Sequence, residues 1–429
     1  MNQFSIWLSV LLLGLSSIAF AQHQELSEQP AIWEKKSPTD SAASIRNLAD
    51  LFRQGTISGH FRSFVMRTNN EQTLRDYQTW AVGGGIKLQT ASLHGFQAGI
   101  SGFFIYNLTG SDLSLPDPTT QQSNRYEVGL YDVANPSNRT DLDRLEELYL
   151  RYQRKGLTLT LGKQLLNTPF INLQDGRMRP TEMEGFWGEW KSKSNWQARI
   201  GFLYGASPRG TVRWYSIQNS IGVYSMGLTE SGLKADYAGQ IQSRGILLNN
   251  LQYQHANWKV EFWNQYTDNL FNSLLLQVER EKKIRVGTLF AGAQWIRQDA
   301  TGTGGQSDPI KQYVTPNWSS QAFGFRSGWK NQHWETSLNY TRITKKGRYL
   351  MPREWGRDPF FTFLARERNE GLGDVHALVM KAQYRAKKQP YQVGIALGQY
   401  QLPDVLNHRL NKYGMPSYRQ LNVDLRYRF

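Results

Sequence analysis

The sequence predicts an all-β fold: a transmembrane antiparallel β-barrel, most simply of eighteen strands, with one constriction loop folded inward. Three observations carry that expectation. From Gly55 onward apolar residues recur singly at every second position, the signature of strands with one apolar and one polar face. The chain is rich in aromatics (21 Tyr, 20 Phe, 14 Trp) yet has a mean hydropathy of −0.56, and after its first residues it has no long apolar run. A soluble domain of this length would bury a large core behind longer continuous apolar segments. Finally, Ser417 to Phe429 (SYRQLNVDLRYRF) sets Leu421, Val423, Leu425, Tyr427 and Phe429 on one face and Gln420, Asn422, Asp424, Arg426 and Arg428 on the other. Such an edge strand invites aggregation unless it is paired, as it is in a closed barrel.

The chain opens with an expected signal peptide, residues 1–21. Ile6 to Ile18 is apolar, shorter than the roughly 20 residues of a spanning helix, and Ala19-Phe20-Ala21 is a small-x-small cleavage pattern. No Lys or Arg precedes the apolar run. Residues 22–54 are polar and mixed in charge and read as a periplasmic extension, with a short helix within Ser41 to Phe52.

Residues 55–429 are the expected barrel. Ile57, Gly59, Phe61, Ser63 and Val65 share the first apolar face. Trp80 to Leu88 and Phe96 to Tyr106 follow, and then a largely polar loop, Asn107 to Arg144, holding Pro116, Pro118 and Pro136. Leu148, Leu150 and Tyr152 turn at Arg154-Lys155-Gly156 into Leu157, Leu159 and Leu161. Later faces run through Trp196 to Tyr204, Leu247 to Tyr253, Trp258 to Phe262, Leu289 to Trp295, Phe323 to Trp329, Trp334 to Tyr340, Leu378 to Tyr384 and Tyr391 to Leu397. Residues 205–240 have room for one or two more strands. Turns alternate short (Lys330-Asn331-Gln332, Lys387 to Pro390) with long (Asp299 to Trp318, Lys345 to Asp374), as in a transmembrane barrel. About sixteen strands are explicit, with space for eighteen.

Between Leu161 and Phe186 lie some twenty residues with Pro169, Pro180, Asp175, Glu182, Glu184, Arg177 and Arg179. A connection of that length in a compact fold is commonly functional. It either folds into the lumen and narrows it or is an ordinary surface loop; both readings stand on these residues alone.

Several of these motifs together resemble the OprD family of substrate-specific outer-membrane porins. They are Leu148-Tyr149-Leu150, Leu161-Gly162-Lys163-Gln164, Asn167-Thr168-Pro169-Phe170, Asp175-Gly176-Arg177-Met178-Arg179-Pro180 and Glu184-Gly185, with Gly55 to Gly59 and Trp355 to Phe361 (WGRDPFF). The chain departs from that pattern at Glu182-Met183, where Thr-Phe is usual. The resemblance implies an 18-strand barrel, monomeric or loosely trimeric, with its third external loop turned inward, an arginine ladder on one wall, and small carboxylates or amino acids as substrates.

Electrostatics read from the residues agree. The chain carries 50 Lys and Arg against 35 Asp and Glu, a net charge of +15. By strand parity Arg62, Arg151, Arg199, Lys259, Arg326, Lys381, Arg385, Arg426 and Arg428 oppose the apolar face. Charge facing lipid at mid-depth is costly, so these are expected to line the lumen. Basic rings favour anions, and arginine pairs bidentately with carboxylates. Alternatively, many of them neutralise Glu147, Glu261 and Asp424 within the wall or bind lipopolysaccharide phosphate at the rim. Asp175, Arg177 and Arg179 are the expected constriction residues.

Nothing points to catalysis. The seven histidines are scattered, there is no cysteine, and Gly302-x-Gly304-Gly305 lies in a loop rather than between strand and helix. No metal or cofactor is expected, and no nucleic-acid partner, because the positive charge is spread over lumen positions rather than gathered in a stripe. The expected function is passive, selective diffusion of small anionic or zwitterionic solutes across the outer membrane. A structural or adhesive barrel whose long external loops bind a partner is the other class.

Overall fold

A computed structural model describes residues 48–173, 177–365, 368–386 and 391–427. Seventeen antiparallel strands form one sheet: β1 (Thr56–Thr68), β2 (Tyr77–Gln89), β3 (Phe96–Gly110), β4 (Arg144–Arg154), β5 (Leu157–Gln164), β6 (Glu182–Lys191), β7 (Trp196–Ser207), β8 (Tyr215–Ser216), β9 (Ile246–His255), β10 (Trp258–Thr267), β11 (Phe271–Ile284), β12 (Gly287–Ala300), β13 (Ser319–Lys330), β14 (Trp334–Ile343), β15 (Val375–Arg385), β16 (Tyr391–Gln401) and β17 (Tyr418–Tyr427). Each long strand pairs with the next in sequence, as in Ile57↔Leu88 across β1–β2 and Leu397↔Leu421 across β16–β17. β8 is a two-residue spur on β7, which passes its main edge directly to β9 (Phe202↔Leu247). A short helix, α1 (Leu48–Arg53), precedes the sheet. It overlaps the end of the helix expected over Ser41 to Phe52 and runs one residue past it, while the first expected residues lie outside the described ones.

The expectation of eighteen strands is not met among the described residues. Sixteen long strands build the ladder, and residues 205–240, with room for one or two more, hold only the two-residue β8 beyond the end of β7. That segment forms β8, the single turn α2 (Ile217–Ser220) and irregular chain, and its Ile217, Ile221, Ala235, Tyr237 and Ile241 are buried with other loops. Its apolar residues serve a packed interior instead of alternating along a wall.

The outward face is apolar. Phe61, Ile86, Ile100, Leu150, Ile200, Leu251, Phe262, Phe325, Leu338, Met380, Leu397 and Val423 are all exposed, each at the parity read from sequence. Aromatics cluster at both ends of this band. Trp190, Trp196, Trp258, Trp334 and Tyr427 lie at the short-turn end, and Trp80, Tyr106, Tyr204 and Tyr266 at the other. Adjacent rings there touch, with centroids 4.7 Å apart for Trp196–Tyr253 and 4.9 Å for Trp334–Tyr384. From Trp258 to Tyr266 along a strand tilted by about 40°, a rise of about 3.3 Å per residue gives a height of about 20 Å. That is close to the apolar band of an outer-membrane barrel.

The short connections, such as 155–156, 256–257 and 331–333, share one end of the sheet, and the long ones, 111–143, 165–181, 208–245, 301–318, 344–374 and 402–417, share the other. The long segments pack against one another on the inward side. Phe170 and Ile171, Ile217 and Tyr237, Tyr313 and Trp318, and Tyr349 and Trp355 come from four of them and bury in one cluster. A second, smaller cluster packs Leu130, Tyr131 and Leu142 of 111–143 on Met66, Phe103 and Met178. Loops from β5–β6 and from β14–β15, nine strands on, can meet only if the sheet curls around them.

If the outward face meets hydrocarbon, Leu338→Arg, midway along β14, is expected to cost about 2–4 kcal/mol of folding free energy in vesicles. Ser337→Gln, one residue away on the inward face, is expected to cost less than half of that. Urea titration of the tryptophan fluorescence of vesicle-inserted protein measures both.

Candidate functional site: the inward loops and the basic wall

The described residues of the segment 165–181 are bound at several points. The chain turns at Thr168 to Ile171, where the Thr168 amide donates to the Ile171 carbonyl (2.7 Å) and the Ile171 amide to Thr168 Oγ1 (2.9 Å). Phe170 and Ile171 are buried in the central cluster. Beyond Gly176 the two arginines act as fasteners to 111–143. Arg177 Nη1 donates to the Tyr126 carbonyl (2.7 Å), and Arg179 donates to the carbonyls of Leu142 and Tyr131 (both 3.1 Å). Met178 lies against Gly83 of β2, where a Cβ would stand 3.0 Å from its terminal methyl and 2.6 Å from the Phe104 carbonyl, so only glycine lets the loop approach the wall this closely. At the far end the Pro180 carbonyl accepts from Arg144 (2.9 Å), and Glu182 and Met183 begin β6 opposite Ser207 and Ala206.

The described residues of this loop pack against neighbouring loops, and Arg179 does not border an open passage. It is 1 % exposed, and both of its terminal nitrogens donate to carbonyls. Burial with Arg144 nearby pulls its pKa down to about 9, against the counteracting charges of Glu146 and Asp132. Asp175 lies outside the described residues, as does Arg428.

A second loop, 344–374, meets the first, and no residue of it was expected in the site. Asn172 is the joint. Its amide N–H donates to the Trp355 carbonyl (3.0 Å), its side-chain Nδ2 donates to the Arg357 carbonyl (2.9 Å), and its Oδ1 accepts from the Arg357 amide (3.1 Å). One side chain thus pairs with backbone as a strand would. Gly356 between those partners has φ +146°, and a Cβ there would be 2.6 Å from Asn172 Oδ1. Trp355 is fully buried and donates its indole N–H to Ser220 Oγ (2.9 Å). Glu354 accepts the amides of Gly222 and Tyr224 (2.9 Å each), while its carbonyl accepts from Thr181 Oγ1 (3.0 Å). Burial pushes the Glu354 carboxyl above the ordinary carboxylate range, opposed by those two amide bonds. Residues 354–357 thereby join three long loops.

The eight basic wall residues among the described ones divide into two groups. Arg326, Lys381, Arg385 and Arg426 come together on β13, β15 and β17, around a cavity of about 270 Å³ roofed by Phe361, Phe363 and Arg357 of the second loop. Five cations face two acids there, Glu335 and Asp424. Arg326 pairs with Glu279 (2.5 Å) and stacks 4.7 Å from the Phe361 ring centroid; Arg385 lies 3.6 Å from Glu335. The other four stand apart. Arg62 donates to the Arg177 carbonyl (2.9 Å) and so holds the first loop. Arg151 lies over the Tyr149 ring (4.5 Å), Arg199 donates to Asn250 (2.6 Å), and Lys259 pairs with Glu261 (2.7 Å). Lys87, which parity alone would have placed inward, pairs with Glu147 at 2.6 Å.

The prediction from this geometry concerns the joint. Asn172→Ala removes two side-chain hydrogen bonds to buried backbone and is expected to cost about 1–3 kcal/mol of loop docking. Single-channel recordings in planar bilayers should show a larger mean conductance and more current noise than the parent; an identical trace would mean that the two loops hold without it.

No protein-family model matches the sequence, and no curated protein matches it significantly. Solved structures do match in fold. Pseudomonas aeruginosa OccK9 (OpdG) aligns with a TM-score of 0.65 at 12 % identity, covering 87 % of this chain and 88 % of its own. Acinetobacter baumannii OccAB3 gives 0.65 at 14 % over the same shares. P. aeruginosa OpdK, solved with vanillate, gives 0.58 at 11 %, covering 81 % of each chain. These neighbours are outer-membrane porins of the OprD family, channels rather than enzymes, and this chain has their β-barrel fold.

Proposed function

We propose that this protein is an outer-membrane porin through which small anionic or zwitterionic solutes, carboxylates or amino acids, diffuse passively along a basic wall. The observation that carries the reading is the cavity between β13–β17 and the second loop, where Arg326, Arg357, Lys381, Arg385 and Arg426 outnumber Glu335 and Asp424. A narrow, low-dielectric space with a surplus of one charge concentrates the opposite ion, and planar guanidinium groups suit carboxylates. Phe361 and Phe363 add aromatic faces beside the cations, which suits a solute with a ring next to its acid group. The likeness to OpdK, whose structure holds the aromatic carboxylate vanillate, supports the same class.

In this reading residues 1–21 direct export, 22–54 stay periplasmic, and 55–429 form the barrel, as a monomer or loose trimer. β1 pairs with β17 to complete it. The sixteen long strands of the ladder are an even number, so those two run antiparallel and can pair without a change of direction. Both chain ends then lie with the short turns, and the packed long loops face outward from the cell.

Replacing Lys381, Arg385 and Arg426 together by Gln tests the wall. The anion-to-cation permeability ratio, read from reversal potentials across a KCl gradient, is expected to fall at least threefold. Benzoate entry in liposome swelling is expected to slow by a similar factor, with benzylamine entry unchanged or faster. An unchanged ratio together with unchanged benzoate entry would remove the basic wall from the mechanism.

A further inference from the structure

The outer rim of the sheet, at the long-loop end, carries basic side chains whose surroundings differ by sector. Near β10–β12 each is neutralised by a carboxylate. Arg244 clasps Asp268 at 2.7 and 3.1 Å, and Arg297 clasps Asp299 at 2.7 and 2.8 Å. Across β14–β17 the pattern changes. Lys345 and Lys346 form the exposed turn after β14, Arg409 projects from 402–417, and Arg419 stands on β17 at the outward parity of Leu421 and Val423. Among the described residues none of these four sits in an ion pair. The acids at hand are otherwise engaged: Asp374 with Arg342 (2.5 Å), and Asp404 with the Leu406 amide (2.8 Å).

Three of the four cations are also held together. Arg409 donates from Nη1 to the Lys346 carbonyl (3.1 Å) and from Nη2 to the Lys345 carbonyl (3.2 Å). The guanidinium is fixed against the turn that bears both ammonium groups, so three like charges share one small surface with no ion-pair partner among the described residues. Such a cluster repels itself unless an anion from outside completes it. Below the turn, toward the apolar band, the outward face shows Tyr340 and Leu338 on β14 and, across the sector, Leu421 and Val423 on β17. An anion that reaches the cluster while its tail lies on those residues belongs to the lipid leaflet.

We propose that Lys345, Lys346 and Arg409 form a binding site for the phosphate groups of an outer-leaflet glycolipid headgroup, confined to the β14–β17 sector. The lysines meet phosphate as point charges, and Arg409 supplies the scaffold and its remaining N–H groups. The partner is a phosphorylated lipid rather than free phosphate, because the apolar band supplies the second half of the contact.

The test uses the full-length protein in detergent and native mass spectrometry with three probes: bis-phosphorylated lipid A, the same lipid after phosphatase treatment, and inorganic phosphate as competitor. The variant Lys345→Gln with Lys346→Gln leaves the Arg409 hydrogen bonds to backbone in place, and unchanged conductance verifies that it folds. The wild type is expected to retain bis-phosphorylated lipid A at least tenfold better than the dephosphorylated lipid, and the double variant to lose most of that preference. Arg244→Gln with Arg297→Gln is expected to bind like the wild type. Equal retention of dephosphorylated lipid, equal loss in the Arg244/Arg297 variant, or displacement of lipid by millimolar inorganic phosphate would each overturn the proposal.

Discussion

Inside hydrocarbon no water is present to satisfy a peptide group, and this single constraint organises the molecule. Every strand must give its amides and carbonyls to a neighbour, so the long strands walk as one antiparallel ladder from β1 to β17, each beside the next. Once that ladder is set, side chains have only two destinations. The outward set is apolar and ends in aromatics; the inward set is mixed, polar and able to hold charge. The long connections follow from the same constraint. Facing the inward side they find polar partners and bury their own apolar residues together, as Phe170, Tyr237, Tyr313 and Trp355 do.

The wall was legible in the sequence because its physics is periodic. A residue two steps from an outward leucine also faces outward, and that rule placed Arg326, Lys381, Arg385 and Arg426 on one side before any packing was known. The loops were not legible in the same way, because no period links their residues. Arg177 and Arg179 show the limit: a guanidinium in a loop can meet a solute or a carbonyl, and its type does not say which. Here Tyr126, Tyr131 and Leu142 supply the carbonyls. Asn172 left a faint trace, an amide set between Ile171 and Leu173, since a polar group in apolar company requires a partner. That the partner would be backbone at 355–357 was beyond what residue types reveal. The eighteen-strand expectation failed for a related reason: Ile217, Ile221 and Tyr237 are apolar enough for a wall but lack the alternation that would keep them in one.

Charge on the inward face serves two purposes, and the distinction is geometric. Where a cation has a carboxylate or carbonyl within about 3 Å, as Lys87, Lys259 and Arg62 do, it helps hold the wall and its loop. Around the 270 Å³ cavity five cations meet two acids of the lining, and Arg326 is paired besides with Glu279 (2.5 Å). The second loop matters to both, since it brings Arg357 to the cationic group and Phe361 to the face of Arg326.

The bond between Asn172 and the backbone of Arg357 spans 185 positions of chain. A contact of that separation forms late, because the loop-closure entropy of everything between has first to be overcome. The half of the chain made first therefore carries a loop whose final seat does not exist until the last third has arrived and paired. Until residues 354–357 reach Asn172, that loop lacks one of its seats.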